Sequence, residues 1–123
     1  MLEIKRIMNE LMQLNGAVYV SLVDYYEGKI FAQSGDIFYQ NTGVQNSSIV
    51  REKIQMIEGL GIKESVVDIQ INLSNHYHLI HISQRISGLY IYLVLEKIRA
   101  NIQIARWKLD AMEKGLSTAK IDI

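Results

Sequence analysis

The sequence predicts an α/β (α+β) domain with elements in the order helix, two strands, helix, three strands, helix. Two observations carry this. Apolar residues recur at helical spacing in three stretches, and five short runs rich in β-branched and aromatic residues lie between them. The separators inside each group of strands are short enough for antiparallel hairpins.

Leu2 to Leu14 reads as an amphipathic helix. Ile4, Ile7, Met8, Leu11 and Leu14 recur at steps of three and four, with Arg6, Asn9, Glu10 and Gln13 opposite. Asn15-Gly16 supplies the stop, because both residues tolerate the left-handed conformation of a C-cap. Ala17 to Val23 and the run from Lys29 flank an Asp-and-Gly turn and read as a hairpin.

The stretch from Gly35 to Asn46 is irregular. It reads either as a binding loop built on Ile37, Phe38 and Tyr39, or as a short extra strand. Asn46, Ser47 or Ser48 is then positioned to cap a helix running to about Glu58, which Gly59-Leu60-Gly61 ends. Three β-rich runs follow, over Ser65 to Ser74, Tyr77 to Ser83 and Leu89 to Leu95. The first alternates cleanly, with Val67, Ile69, Ile71 and Leu73 against Asp68, Gln70 and Asn72, as expected of a half-exposed edge strand. Leu89 to Leu95 is apolar on both faces, as expected of a central strand covered from both sides. A last helix is expected over about Lys97 to Leu116, followed by a tail over about 117–123.

A chain of 123 residues is material for one domain, here 1–123, and neither a repeat nor a linker divides it. No run approaches the roughly 18 apolar residues that span a bilayer, so no membrane insertion is expected. The opening MLEIKRIMNE interleaves charges with apolar residues, unlike a signal peptide. Cysteine is absent, which excludes disulfides and thiolate chemistry and fits a reducing cytoplasm. The formal net charge is zero. Residues 81–123 carry seven Lys/Arg against four Asp/Glu, too small an excess for the phosphate neutralisation that nucleic acid requires.

Catalytic constellations are missing from the pattern. The carboxylates are scattered, no Ser sits in a Gly-x-Ser-x-Gly turn, and neither phosphate-binding glycine loop occurs. No enzyme activity and no cofactor are expected. His76 and His78 would share one face of a strand, while His81 points the other way. Two histidines without a third ligand do not make a metal site.

The helices say more. On the second, Ile49, Met56 and Leu60 form one stripe and Val50, Ile54 and Ile57 another, with Lys53 between them. A helix covering one sheet needs a single stripe. The second stripe meets either a partner helix across a dimer axis or a wide core with the Lys53 stem running outward. On the last helix, Ile98, Ile102, Ala105, Leu109, Met112 and Leu116 form a seam for the sheet. Ala100, Ile104, Trp107 and Ala111 lie nearly opposite. Ile104, Trp107 and Ala111 are therefore candidates for partner binding, or else pack under the first helix or the tail residues Ile121 and Ile123.

With these elements in place, the chain resembles the Roadblock/dynein light chain family over nearly its whole length. The features are the turn Asp24-Tyr25-Tyr26-Glu27-Gly28 after an apolar strand and the helix opening Asn101-Ile102-Gln103-Ile104-Ala105-Arg106. It departs from the family pattern at Gln103, where a small residue is expected, and in a turn one residue longer. The resemblance implies a five-stranded antiparallel sheet with the first and last helices on one face and the second on the other. It also implies a homodimer or heterodimer formed by third strands and second helices. The candidate interface is then Ile49, Val50, Lys53, Ile54, Met56 and Ile57 with Val67, Asp68, Ile69 and Ile71. The function it implies is non-catalytic: regulating or scaffolding a small Ras-like GTPase, or serving in a larger protein assembly. The topology is shared with longin and profilin-like domains, so a small-ligand sensor with a pocket between sheet and helix is the rival reading.

Overall fold

The computed structural model describes residues 2–116. Three α-helices, α1 (Leu2–Leu11), α2 (Gln40–Glu58) and α3 (Ile102–Leu116), accompany five strands. These are β1 (Ala17–Asp24), β2 (Lys29–Gly35), β3 (Asp68–Asn72), β4 (His76–Ile82) and β5 (Leu89–Glu96). They form one antiparallel sheet in the order β2-β1-β5-β4-β3. The expected element order and the edge and central positions of β3 and β5 are both found.

The alternation of side chains along the strands divides the core into two layers. One layer joins Ile4, Ile7, Met8 and Leu11 of α1 and Ala105, Leu109 and Leu116 of α3 to Val20, Leu22, Leu79, Ile91 and Leu93 of the sheet. The other joins Val50 of α2 to Tyr19, Val23, Ile80, Tyr90, Tyr92 and Val94. Helices α1 and α3 therefore cover one face and α2 the other, as the resemblance implied. Eight residues of β5 run between both layers, and all but Glu96 are buried.

Several boundaries differ from expectation. The first helix ends at Leu11, and the chain tightens through Gln13 N–H to Glu10 C=O and Leu14 N–H to Leu11 C=O before Gly16 turns left-handed (φ 83°). A Cβ on Gly16 would lie 2.7 Å from the Glu96 carbonyl oxygen, so glycine is required there by space as well as by φ. The last helix starts at Ile102, where Asn101 Oδ1 accepts from the N–H groups of Gln103 (3.0 Å) and Ile104 (3.1 Å). Residues from Lys97 to Ala100 form a turn instead, in which Ile98 is 90% exposed and lies outside the seam. The third strand is shorter than Ser65 to Ser74, and the expected tail over 117–123 lies outside the described residues.

The largest difference concerns Gly35 to Asn46: Gly35 ends β2, no extra strand follows, and the residues from Ile37 on are helical, with Ile37 and Phe38 exposed. Asp36 Oδ1 accepts from Phe38 N–H at 3.0 Å and starts a short 3-10 helix, Ile37–Tyr39, which runs directly into α2 at Gln40. The buried side of α2 here is polar: Gly43, Asn46 and Ser47. It is polar because the sheet beneath it presents tyrosine hydroxyls. Tyr90 Oη donates to the Gly43 carbonyl and lies 3.1 Å from Ser47 Oγ. A Cβ on Gly43 would sit 3.1 Å from the Tyr92 ring and 3.2 Å from Ser21 Oγ, so the helix approaches closely only without one.

Candidate functional site

The turn that begins the hairpin is held locally. Asp24 Oδ1 accepts from Tyr26 N–H at 2.9 Å, and Gly28, at φ 69°, closes it with its N–H on Asp24 C=O at 2.8 Å. Arg51 of α2 donates to the Tyr25 carbonyl, which ties the turn to the middle of the helix.

The roll of α2 settles its two stripes. Val50 is fully buried and Ile54 and Ile57 are half-buried, so that stripe faces its own sheet. Val50 is thereby removed from any surface a partner reaches. The other stripe faces outward: Ile49 is exposed, Met56 is 60% and Leu60 65% exposed, and Lys53 is exposed between the stripes. The two alternatives for this helix reduce to one, an inner stripe for the core and an outer stripe without cover.

β3 lies beside the β4 end of the same face. Ile69 and Ile71 are half-buried against the tyrosine layer, and Val67 is exposed just before the strand. The carboxylate of Asp68 turns to the opposite face, where Arg106 Nη1 of α3 lies 3.2 Å from it. Arg106 Nη2 also donates to Gln70 Oε1 at 2.7 Å. This clamp from α3 to the edge strand had no signature in the sequence, since the pairs are 36 and 38 positions apart.

On α3 the outward stripe is real. Trp107 is 71% exposed, Ile104 is exposed and Ala111 is half-buried, so α1 does not cover them. Ile121 and Ile123, the tail residues named as alternative cover, lie outside the described residues.

Of the histidines, His76 and His78 share a face and His81 takes the other, as expected. The His78 ring packs edge-on to Tyr39 and Tyr92, with Nδ1 3.0 Å from Tyr92 Oη. Burial, with His76 close by, holds the His78 imidazole below its ordinary pKa. Burial likewise pushes the Tyr90 hydroxyl up to about 12. His81 meets Glu113, a buried carboxylate on α3 that sequence reasoning missed. Among the described residues, no group of three or more His, Cys, Asp or Glu side chains is arranged to hold a metal ion. No helix of the described residues is long and apolar enough to cross a membrane.

One groove of about 340 Å³ lies between the end of α2 and the β4–β5 turn. Tyr25, Ile54, Ile57, Val66 and Ile82 form its floor, while Glu58, Glu64 and Arg85 stand on an exposed rim.

No family model matches the sequence, and no curated protein does. Solved structures do match. A Roadblock/LC7 domain from Streptomyces avermitilis superposes with a TM-score of 0.79 at 11% identity, over 91% of this chain and 92% of that one. MglB of Myxococcus xanthus gives 0.81 at 13% identity, over 94% and 92%. The gliding protein MglB of Thermus thermophilus gives 0.78 at 11% identity, over 94% and 87%. The chain has the Roadblock/LC7 fold.

Proposed function

We propose that this chain, with its Roadblock/LC7 fold, is a dimeric, non-catalytic protein-binding module that regulates or scaffolds a small Ras-like GTPase in the cytoplasm. The observation that carries the dimer is the outer stripe of α2. Both layers of the core are complete within one copy, yet Ile49, Met56 and Leu60 remain exposed. The free edge of β3 with Val67, Asp68, Ile69 and Ile71 adds to this surface, and Lys53 and Ile57 flank it. Large apolar rows of this kind mark interaction sites.

The outward row of α3, Ile104, Trp107 and Ala111, is the second surface, and the GTPase or larger assembly is assigned to it. An exposed Trp on a rigid helix is the residue type that anchors interfaces most often. The GTPase itself rests on the family resemblance. The nucleotide and its metal belong to the partner, so any effect on hydrolysis works by reshaping the partner's site.

Size exclusion with light scattering tests the dimer: a mass near twice 14.1 kDa is expected at micromolar concentration. Titration with a purified Ras-like GTPase, loaded with GDP or a non-hydrolysable GTP analogue, tests the partner. Absence of binding to either form removes the GTPase assignment and leaves the dimer standing.

The sensor reading has one feature in its favour, the groove beside Ile54 and Ile57. Its charged groups, Glu58, Glu64 and Arg85, are all exposed, whereas a ligand site requires polar groups that converge on a point inside. A small molecule retained in native mass spectrometry of the purified chain would favour the sensor instead.

A further inference from the structure

A smaller cleft, of about 210 Å³, opens on the face of the sheet opposite α2, between α3 and the paired strands β3 and β4. Leu79 of β4 and Leu109 of α3 give it apolar walls, and its charged groups are Asp68, Arg106 and Asp110. Its volume falls short of the roughly 300–1,000 Å³ of pockets for drug-sized molecules and suits one long side chain.

Topology gathers the polar groups around one point. Asp68 is the cross-strand partner of His81, and paired residues project to the same face. His81 is buried, and α3 brings Glu113 to its Nε2 at 3.1 Å and Asp110 to its Nδ1 at 3.9 Å. Hydrogen bonds keep the Glu113 carboxyl ionised at neutral pH, so it can only accept. The proton of the neutral ring therefore sits on Nε2, and Nδ1 is left as an acceptor. Asp110 Oδ1, also an acceptor, faces it at 3.9 Å, beyond hydrogen-bond reach. A donor placed between the two satisfies both. Arg106 is engaged elsewhere, with Nη1 3.2 Å from Asp68 Oδ2 and Nη2 donating to Gln70 Oε1 at 2.7 Å. The walls thus carry two carboxylates to one cation, and the complement to that surplus is a further cation.

We infer that this cleft takes a lysine side chain of the protein that docks on the outward row of α3, with its alkyl stem between Leu79 and Leu109 and its ammonium among His81 Nδ1, Asp110 and Asp68. This rests on the α3 surface reading above and names the chemistry that the partner presents there. Trp107 and Asp110 are three positions apart on α3, so the apolar row and the mouth of the cleft adjoin. An ammonium is a compact cation with three donors and matches three separate acceptors. A guanidinium is a planar fork suited to one carboxylate, and at Asp68 Arg106 already holds that place. A partner helix with a Lys three or four positions from a large apolar residue meets both features.

n-Butylammonium carries the lysine stem and charge without the rest of a partner, and n-butanol is its uncharged counterpart. Titrations of the full-length protein at constant ionic strength, followed by heteronuclear NMR, are expected to give saturable shifts with butylammonium centred on Asp68, His81, Leu109 and Asp110. Butanol is expected to bind at least about tenfold more weakly, because it brings no charge to the carboxylates. Asp110→Lys, at an exposed position, is expected to keep the fold and abolish the shifts, and Asp110→Asn to weaken binding about threefold or more. Glu27→Lys, the same charge change in a remote exposed turn, is expected to leave binding as it was. Absent shifts, shifts centred elsewhere, equal binding of butanol, or binding that survives Asp110→Lys overturn the inference. In the GTPase titration above, Asp110→Lys is expected to weaken binding by about tenfold or more. A proposed GTPase that binds through Trp107 yet ignores Asp110→Lys overturns the inference and leaves the docking surface standing. Butylammonium binding with no GTPase binding supports the lysine site and removes the GTPase as its source.

Discussion

The carboxylate of Glu113 on α3 lies 3.1 Å from Nε2 of His81 on β4, and both side chains are buried. Its other oxygen accepts the Gln84 N–H at 2.7 Å. One side chain thus fastens the C-terminal half of α3 to the end of β4 and to the turn that follows. Burial pushes the Glu113 carboxyl up, but hydrogen bonds from Ser83, His81 and the Gln84 N–H together outweigh it and hold the group below the ordinary carboxylate range.

Glu113→Gln is expected to cost about 1.5–3 kcal/mol at neutral pH, the usual range for hydrogen bonds to a charged group. Because the folded-state value is depressed, the stabilisation is fully present above the ordinary value of 4.5 and is lost as pH falls through the folded value. Urea unfolding of both proteins at pH 7 and near pH 3 checks this. A gap between them that does not shrink on acidification shows that the charge contributes nothing.

The two stripes of α2 now give opposite expectations. Ile54→Glu places a carboxylate against the sheet and is expected to destabilise the fold by about 2–4 kcal/mol or leave it insoluble. Met56→Glu places the same group on the outer stripe, where water solvates it in the separated copy. A folded monomer with native-like circular dichroism is expected for Met56→Glu. If Met56→Glu stays a dimer at low micromolar concentration, α2 is not at the interface.

Trp107→Ala removes an exposed ring, so its effect on stability is expected to stay within about 0.5 kcal/mol. Thermal melting checks that half. The other half is a weakened interaction with the proposed GTPase partner, by about tenfold or more for an anchoring Trp, read by the titration described above. A large fall in melting temperature would show instead that Trp107 supports the fold.

His78 predicts a second pH effect, in a different window. Its folded pKa lies below the ordinary value of 6.5, and the rings and hydroxyls facing it (Tyr39, Tyr92 and His76) include no carboxylate to compensate a proton. The stability tied to the neutral ring is therefore fully present above about pH 6.5 and lost as pH falls through the folded value. His78→Gln is expected to flatten the decline in stability between about pH 7 and 5. An NMR titration of the His78 ring in the native protein measures the shift itself, and a value at or above 6.5 refutes the account.

The sequence alone made legible the element order, the hairpins, the edge and central positions of β3 and β5 and the opposed faces of His78 and His81. All of these follow from local periodicity, because the period of two in strands and of 3.6 in helices assigns each residue a face. It also showed that α2 has one apolar stripe more than a single sheet needs. Which stripe was spare emerged from packing, because periodicity fixes the angle between Ile54 and Met56 but not the roll of the helix on the sheet. Tertiary contacts also decided the start of α2. Gly43, Asn46 and Ser47 read as loop residues until the hydroxyls of Tyr90 and Tyr92 lie beneath them, and those tyrosines are more than 40 residues away. Sequence separation, here 32 and 29 positions, likewise hid Glu113, which reads as one more surface carboxylate on an amphipathic helix. It is buried because His81 and the Gln84 N–H arrive from another part of the chain, and a buried carboxylate is tolerable only where such partners meet it.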